Sequence, residues 1–97
     1  MKKKFKNLKE VRKNIDNVDT RLVNLIAERE FYARKAVKFK TDRRQIIDRK
    51  RINTVLSRVK KLSKKYKISS STVEKIWKLM IQNFIILEKK LFKKPKK

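Results

Sequence analysis

Between Leu8 and Phe39, apolar residues recur at alternating spacings of three and four. The series runs Leu8, Val11, Ile15, Val18, Leu22 and Leu25, steps onto Arg29, and resumes at Tyr32, Ala36 and Phe39. No Pro or Gly interrupts it. This spacing predicts one long helix, Leu8–Lys40, with a coiled-coil-like seam. At about 1.5 Å per residue it would extend roughly 50 Å. A compact globule of this chain length has a radius of gyration of only about 12–13 Å. A seam that outreaches its own protomer needs a partner, and an intertwined helical dimer is the simplest one.

A second apolar stripe, Ile52, Val55, Leu56, Val59 and Leu62, predicts a helix starting near Asp48, which has the right chemistry for its N-cap. It ends in Lys64, Lys65, Tyr66 and Lys67, cations that suit a helix C-terminus. Between the first two helices, Thr41–Ile47 is charged and aperiodic and reads as a loop, with Arg43 and Arg44 available to close over a site. Ile68–Thr72 is a second link, and Ser71 with Glu74 has the spacing of a capping box that opens a third helix. The buried side of that helix is read as Val73, Ile76, Trp77, Met80, Ile81, Phe84, Leu87 and Leu91. Residues 1–7 form a basic lead-in and 93–97 a basic tail, both expected to be flexible. Residues 8–92 remain as one all-α domain of three helices.

Composition narrows the chemistry. The 97 residues include no Gly, no Cys, no His and one Pro. Without Gly, a sheet protein with tight turns is excluded in favour of helices with short polar links. Without Cys or His there is no disulfide framework, and the commonest nucleophiles, general bases and metal ligands are missing. Carboxylates, amines, guanidiniums and hydroxyls must suffice, and no cofactor is expected. No apolar run reaches the ~20 residues of a membrane span, and no apolar stretch follows the basic start. The expected location is therefore the cytoplasm. The net charge of +23 would attract nucleic acid, anionic membrane or anionic metabolites alike. Most of the excess is lysine on otherwise ordinary solvent faces, so nucleic acid is not the expected partner.

Three charges break the pattern. Arg29 falls on the apolar seam, where a guanidinium is costly unless paired. Lys40 follows eleven residues later, within roughly 20° on a continuous helix. The two together suggest an anion pocket, against the simpler reading of an arginine snorkelling at a dimer rim. Glu88 shares the apolar face of Ile81 and Phe84, and its simpler reading is an edge position pairing with a nearby lysine. Arg51, at the start of the second helix, adds another cation. Arg12 lies about 100° around the first helix from Arg29, so it would serve a partner's pocket rather than its own. Arginine forks and one lysine suit a small dicarboxylate. They suit a reaction that needs positioning and charge stabilisation more than proton transfer.

The run Val11-Arg12-Lys-Asn-Ile15-Asp16, continuing through Leu22, Leu25 and Ala27-Glu28-Arg29, resembles the first-helix signature of the all-helical (type II) chorismate mutase family. Lys40 stands at the family spacing, and Asp48-Arg-Lys-Arg51, the Val55–Val59 stripe and Trp77–Glu88 also match. The resemblance implies an intertwined antiparallel homodimer that converts chorismate to prephenate. In it, Arg12 is lent to the partner's site, and Arg29 and Arg51 grip the substrate carboxylates. Lys40 bonds one carboxylate and the ether oxygen, and Asp48 lies near the ring hydroxyl. Ile52 departs from the Glu usual in mutases and is similar instead to isochorismate pyruvate lyase, a branch of the same fold that forms salicylate. Glu88 stands where most bacterial members have a donating Gln, and Phe84 replaces a small polar residue. A carboxyl donates only when protonated, so activity is expected to fall as pH rises. A basic, non-catalytic helical dimer that binds nucleic acid is the reading from a different class.

Overall fold

The computed structural model describes residues 4–93. The chain divides into two compact units, one up to Tyr32 and one from Ala33 onwards. The described residues form three α-helices and no strand: α1 (Leu8–Val37), α2 (Arg49–Lys65) and α3 (Ser70–Leu91), with a short 3₁₀ turn at Arg43–Ile46. The all-helical, three-helix expectation therefore holds. The flexible ends expected at residues 1–3 and 94–97 lie outside the described residues.

The first unit is the leading part of α1. Asn7 caps it, its Oδ1 accepting from the Glu10 N–H at 2.9 Å, while the Glu10 carboxylate accepts from the Lys6 N–H at 2.6 Å. These bonds satisfy N–H groups that a helix start leaves without intrahelical partners. Along the seam, Leu8, Ile15, Val18, Leu22 and Leu25 are between 42% and 60% exposed within the single chain. This apolar stripe is therefore open to water along the single chain.

Helix α1 stops at Val37, three residues short of the expected Lys40. No glycine is available to turn the chain. Instead Lys38, Phe39 and Lys40 donate their N–H groups to the carbonyls of Lys35, Ala36 and Val37 at 3.2, 3.1 and 3.1 Å. These tightened three-residue bonds end the helix. They carry Phe39 out of the seam, where it is 86% exposed. The 20° alignment of Arg29 with Lys40 requires a continuous helix and does not hold, because Lys40 lies beyond the helix end.

In the second unit, α3 packs against α2 and against the 3₁₀ turn. Val37, Ile46, Val59 and Val73 form a small buried core. The segment expected as a plain loop holds a full capping box. Asp42 accepts from the Arg44 N–H at 2.8 Å, and the Gln45 side chain accepts from the Asp42 N–H at 3.3 Å. Asp48 caps α2 as expected, accepting from the Arg51 N–H at 2.9 Å.

The α2–α3 link differs from expectation in one detail. The N-cap of α3 is Ser69, accepting from the Thr72 N–H at 3.3 Å, and Ser71 lies inside the helix. Glu74 pairs with Lys78 at 3.0 Å instead of reaching back to a cap. Four consecutive hydroxyl residues offer the same capping chemistry, and the geometry of the preceding turn selects among them. In that turn Ile68 donates to the Ser63 carbonyl at 2.9 Å and Lys67 to that of Lys64 at 3.3 Å, which is a Schellman motif. The turn also sets Ser63, 2% exposed, beside Ser70, their hydroxyls 2.7 Å apart.

A Schellman turn needs a left-handed residue, normally Gly. Here Lys67 takes that role with φ 56°, at a cost of roughly 1 kcal/mol. Lys67→Gly is expected to raise stability by about 1 kcal/mol, a Tm increase of about 4–8 °C for a domain of this size. Thermal melts at matched protein concentration check this, and an unchanged or lower Tm would show that the turn carries no such strain.

Candidate functional site

Two of the three charges that break the apolar pattern meet. Lys40 Nζ donates to Glu88 Oε1 at 2.9 Å, across 48 positions of sequence. Three local features make the meeting. The tightened end of α1 brings Lys40 off the helix, the capped 3₁₀ turn fixes the connection, and α3 docks on that turn. Glu88 is 8% exposed, near the end of α3, where its carbonyl accepts from the Phe92 N–H at 2.9 Å. The simple reading, an edge carboxylate pairing with a nearby lysine, is half right. Glu88 does pair with a lysine, but it is buried and its partner is remote in sequence.

The other expected site residues of this unit are distributed around that pair. Asp48 and Lys40 both line an open depression of about 630 Å³, with Phe39, Arg44, Gln45, Ile47 and Arg49. Ile52 is half-buried on α2, and Phe84 is half-buried on α3 one turn before Glu88, while Arg51 is exposed on the first turn of α2. Arg12 and Arg29 belong to the first unit, where both sit on α1, Arg12 exposed and Arg29 half-buried.

The sequence pattern marks Arg44 only as part of a loop and does not single out Gln45 or Arg49. The signal available is the Asp42-x-x-Gln45 spacing, which is that of a capping box and marks a rigid turn. Arg44 is held there by the Asp42 carboxylate, with Nη2–Oδ2 at 3.0 Å and Nε–Oδ1 at 3.2 Å. The Asp42 hydrogen bond, and then its charge, raise the guanidinium pKa further above its ordinary value. Arg44 is thus a fixed cation at the rim of the depression.

Chemically, the site offers an ammonium in a partly dehydrated setting, where charge acts more strongly than in water. Lysine carries three N–H donors, and Glu88 takes one. Lys40, Arg44 and Arg49 supply N–H donors to an anionic ligand, while Glu88, Asp42 and Asp48 offset their charge.

Comparison with known proteins bears on what that ligand is. The model of the family described as "Chorismate mutase type II" matches residues 11–89. The chain is 33% identical over 84 residues to the bifunctional chorismate mutase/prephenate dehydratase of Buchnera aphidicola subsp. Acyrthosiphon pisum (strain APS), covering 86% of this chain and 22% of that protein. It is 30% identical over 86 residues to the chorismate mutase of Methanocaldococcus jannaschii, covering 88% of this chain and 87% of that one. The chain therefore spans about a fifth of the length of the first relative and most of the second.

Proposed function

The chain belongs to the chorismate mutase type II family, and from that membership we propose that residues 8–92 act as a chorismate mutase in an intertwined antiparallel homodimer. The observation that carries the reading is the partly buried Lys40–Glu88 pair, two charges drawn from distant parts of the chain inside a match that spans both. The reaction breaks the ether C–O bond and forms a C–C bond within one molecule, with no net proton transfer. The work left to the protein is to hold the substrate folded and to stabilise the charge that grows on the ether oxygen. Arg29 and Arg51 bind the carboxylates, and Arg12 comes from the partner protomer. Lys40 donates to a carboxylate and to the ether oxygen. Glu88 donates to the same oxygen when protonated. Asp48 lies near the ring hydroxyl, and Ile52 and Phe84 form apolar wall.

The exposed α1 seam supports the dimer. Complementation provides a test that a merely basic helical protein would fail. Arg12→Ala and Lys40→Ala are each expected to be inactive. Coexpressed in equal amounts, they form heterodimers carrying one native site, and about a quarter of wild-type activity returns. A folded monomer by sedimentation, or no recovery in the mixture, would refute the shared site.

The half-buried aliphatic Ile52 favours a second reading, isochorismate pyruvate lyase. Purified protein given chorismate and isochorismate in parallel separates the two. Prephenate without salicylate supports the mutase, and salicylate formed at the higher efficiency supports the lyase.

A further inference from the structure

Helix α2 carries charge of one sign only. Eight of its 17 residues are Lys or Arg and none is Asp or Glu. Its buried side, centred on Val59 and Ser63, faces α3. On the opposite side, Lys50, Ser57 and Lys61 fall within about 40° of one another at 100° per residue. With Asn53, Thr54 and Arg58 they line a shallow depression of about 500 Å³, and all six are exposed.

Like charges spaced three and four apart, such as Arg58, Lys61 and Lys65, destabilise a helix. An ordinary solvent-facing helix interleaves acids, as α1 does with Glu10, Asp16, Asp19, Glu28 and Glu30. Asp48, at the N-cap of α2, accepts from the Arg51 N–H, and the two acids of α3 are engaged elsewhere. Glu88 is bound to Lys40. Glu74 is held below the usual carboxylate range by its hydrogen bond with Lys78 and that residue's charge, with a smaller effect from Lys60. Lys60 is therefore left out of the stripe.

We infer that the outer face of α2 is a docking surface for the phosphate backbone of duplex nucleic acid, independent of the catalytic reading. From Lys50 to Lys61 the stripe runs about 16 Å at 1.5 Å per residue. A duplex presents one phosphate charge per ~1.7 Å of its axis, so the stripe meets a continuous line of anions. Its side chains are cations, hydroxyls and an amide, suited to phosphate and sugar contacts. It holds no aromatic residue on which unpaired bases could stack, which favours a duplex over a single strand. A membrane surface fits less well, because an interfacial helix buries its apolar face in lipid and α3 already covers that face of α2. An acidic protein partner would call for an apolar or aromatic anchor, and the depression has none.

Fluorescence anisotropy of a labelled 20-bp duplex, titrated with the full chain at several salt concentrations, tests this. Two charge-matched variants are compared: Lys50→Gln/Arg58→Gln/Lys61→Gln on α2, and Lys75→Gln/Lys89→Gln/Lys90→Gln on α3, where all three lysines are exposed. The α2 variant is expected to bind at least ~10-fold more weakly at 150 mM salt. Its slope of log affinity against log salt should be smaller by about 2–3, since each phosphate that the protein neutralises contributes about 0.9 to that slope. The α3 variant should stay within about 3-fold of wild type. The α2 variant is also expected to melt at a higher temperature, since repulsion is relieved, and this confirms that it folds. Equal losses in both variants would reduce the effect to net charge and overturn the assignment. So would absence of binding by the wild type. Displacement of the duplex by polyglutamate or anionic vesicles at equal charge concentration would place a different polyanion on this face and overturn it as well.

Discussion

Lys40→Ala is expected to lower kcat/KM for chorismate by about 10³-fold, the loss associated with one donor aimed at developing charge. Lys40 pairs with the buried Glu88 carboxylate. Its place in the rearrangement is at the ether oxygen, where electron density accumulates as the C–O bond opens. The structure adds a second consequence. Removing Lys40 leaves the Glu88 carboxylate, 8% exposed, without its charged partner. That costs about 1–3 kcal/mol of stability, so the Tm should fall along with activity. Lys40→Arg separates the two effects. It keeps a positive charge for Glu88 and should recover much of the stability. Activity should stay depressed, because a planar guanidinium does not reproduce the position of an ammonium. Steady-state kinetics and a melting curve on each variant read both quantities. Wild-type kcat/KM in Lys40→Ala would remove the lysine from the mechanism.

Glu88→Gln is the second large effect, and it should act through pH. Free of ligand, Glu88 accepts a hydrogen bond from Lys40, as a carboxylate does. To help at the ether oxygen it must donate, and only the protonated acid has a proton to give. A dianionic substrate beside a carboxylate is also repelled unless the acid takes up a proton. The sign follows directly. Only the protonated acid donates, so wild-type kcat/KM should fall as pH rises. The amide of Gln donates at every pH. Glu88→Gln should therefore depend less on pH than the wild type. Glu88→Ala, with no donor, should be slow throughout, by about 10²-fold. A flat wild-type profile that Glu88→Gln leaves unchanged would exclude the protonated acid from catalysis.

Both predictions concern residues that the sequence marks as anomalies. Lys40 is conspicuous for its spacing from Arg29, a cation on the apolar seam, and Glu88 for placing a charge on the apolar face of Ile81 and Phe84. The pattern itself, built from Leu8, Ile15, Leu22, Ile52, Val59, Ile76 and their neighbours, is enough to place three helices. Hydrophobic period and capping chemistry are local properties, and Asp48 is the clearest example: its role as N-cap of α2 follows from its type and its position before an apolar stripe. Where several residues offer the same local chemistry, the sequence is ambiguous. Ser69 and Ser71 are equally good caps on paper, and the Schellman turn through Lys67 selects Ser69.

The end of α1 is illegible for a related reason. The apolar spacing continues through Phe39, yet the helix stops at Val37. A helix end depends on what the following residues bond to, and Asp42 and Gln45 commit theirs to the 3₁₀ turn.

The chain alone thus determined a helical fold, the seam on α1, the lack of His and Cys chemistry, and a short roster of misplaced charges, because each depends on residue type and spacing. Only the tertiary structure decided that Lys40 leaves its helix and closes on Glu88. It also decided which side of α2 is left outermost, because α3 packs on the side of Val59 and Ser63. Those outcomes depend on which surfaces dock on one another, and docking between segments 48 positions apart is settled by the packing of α3 on its neighbours rather than by any local preference.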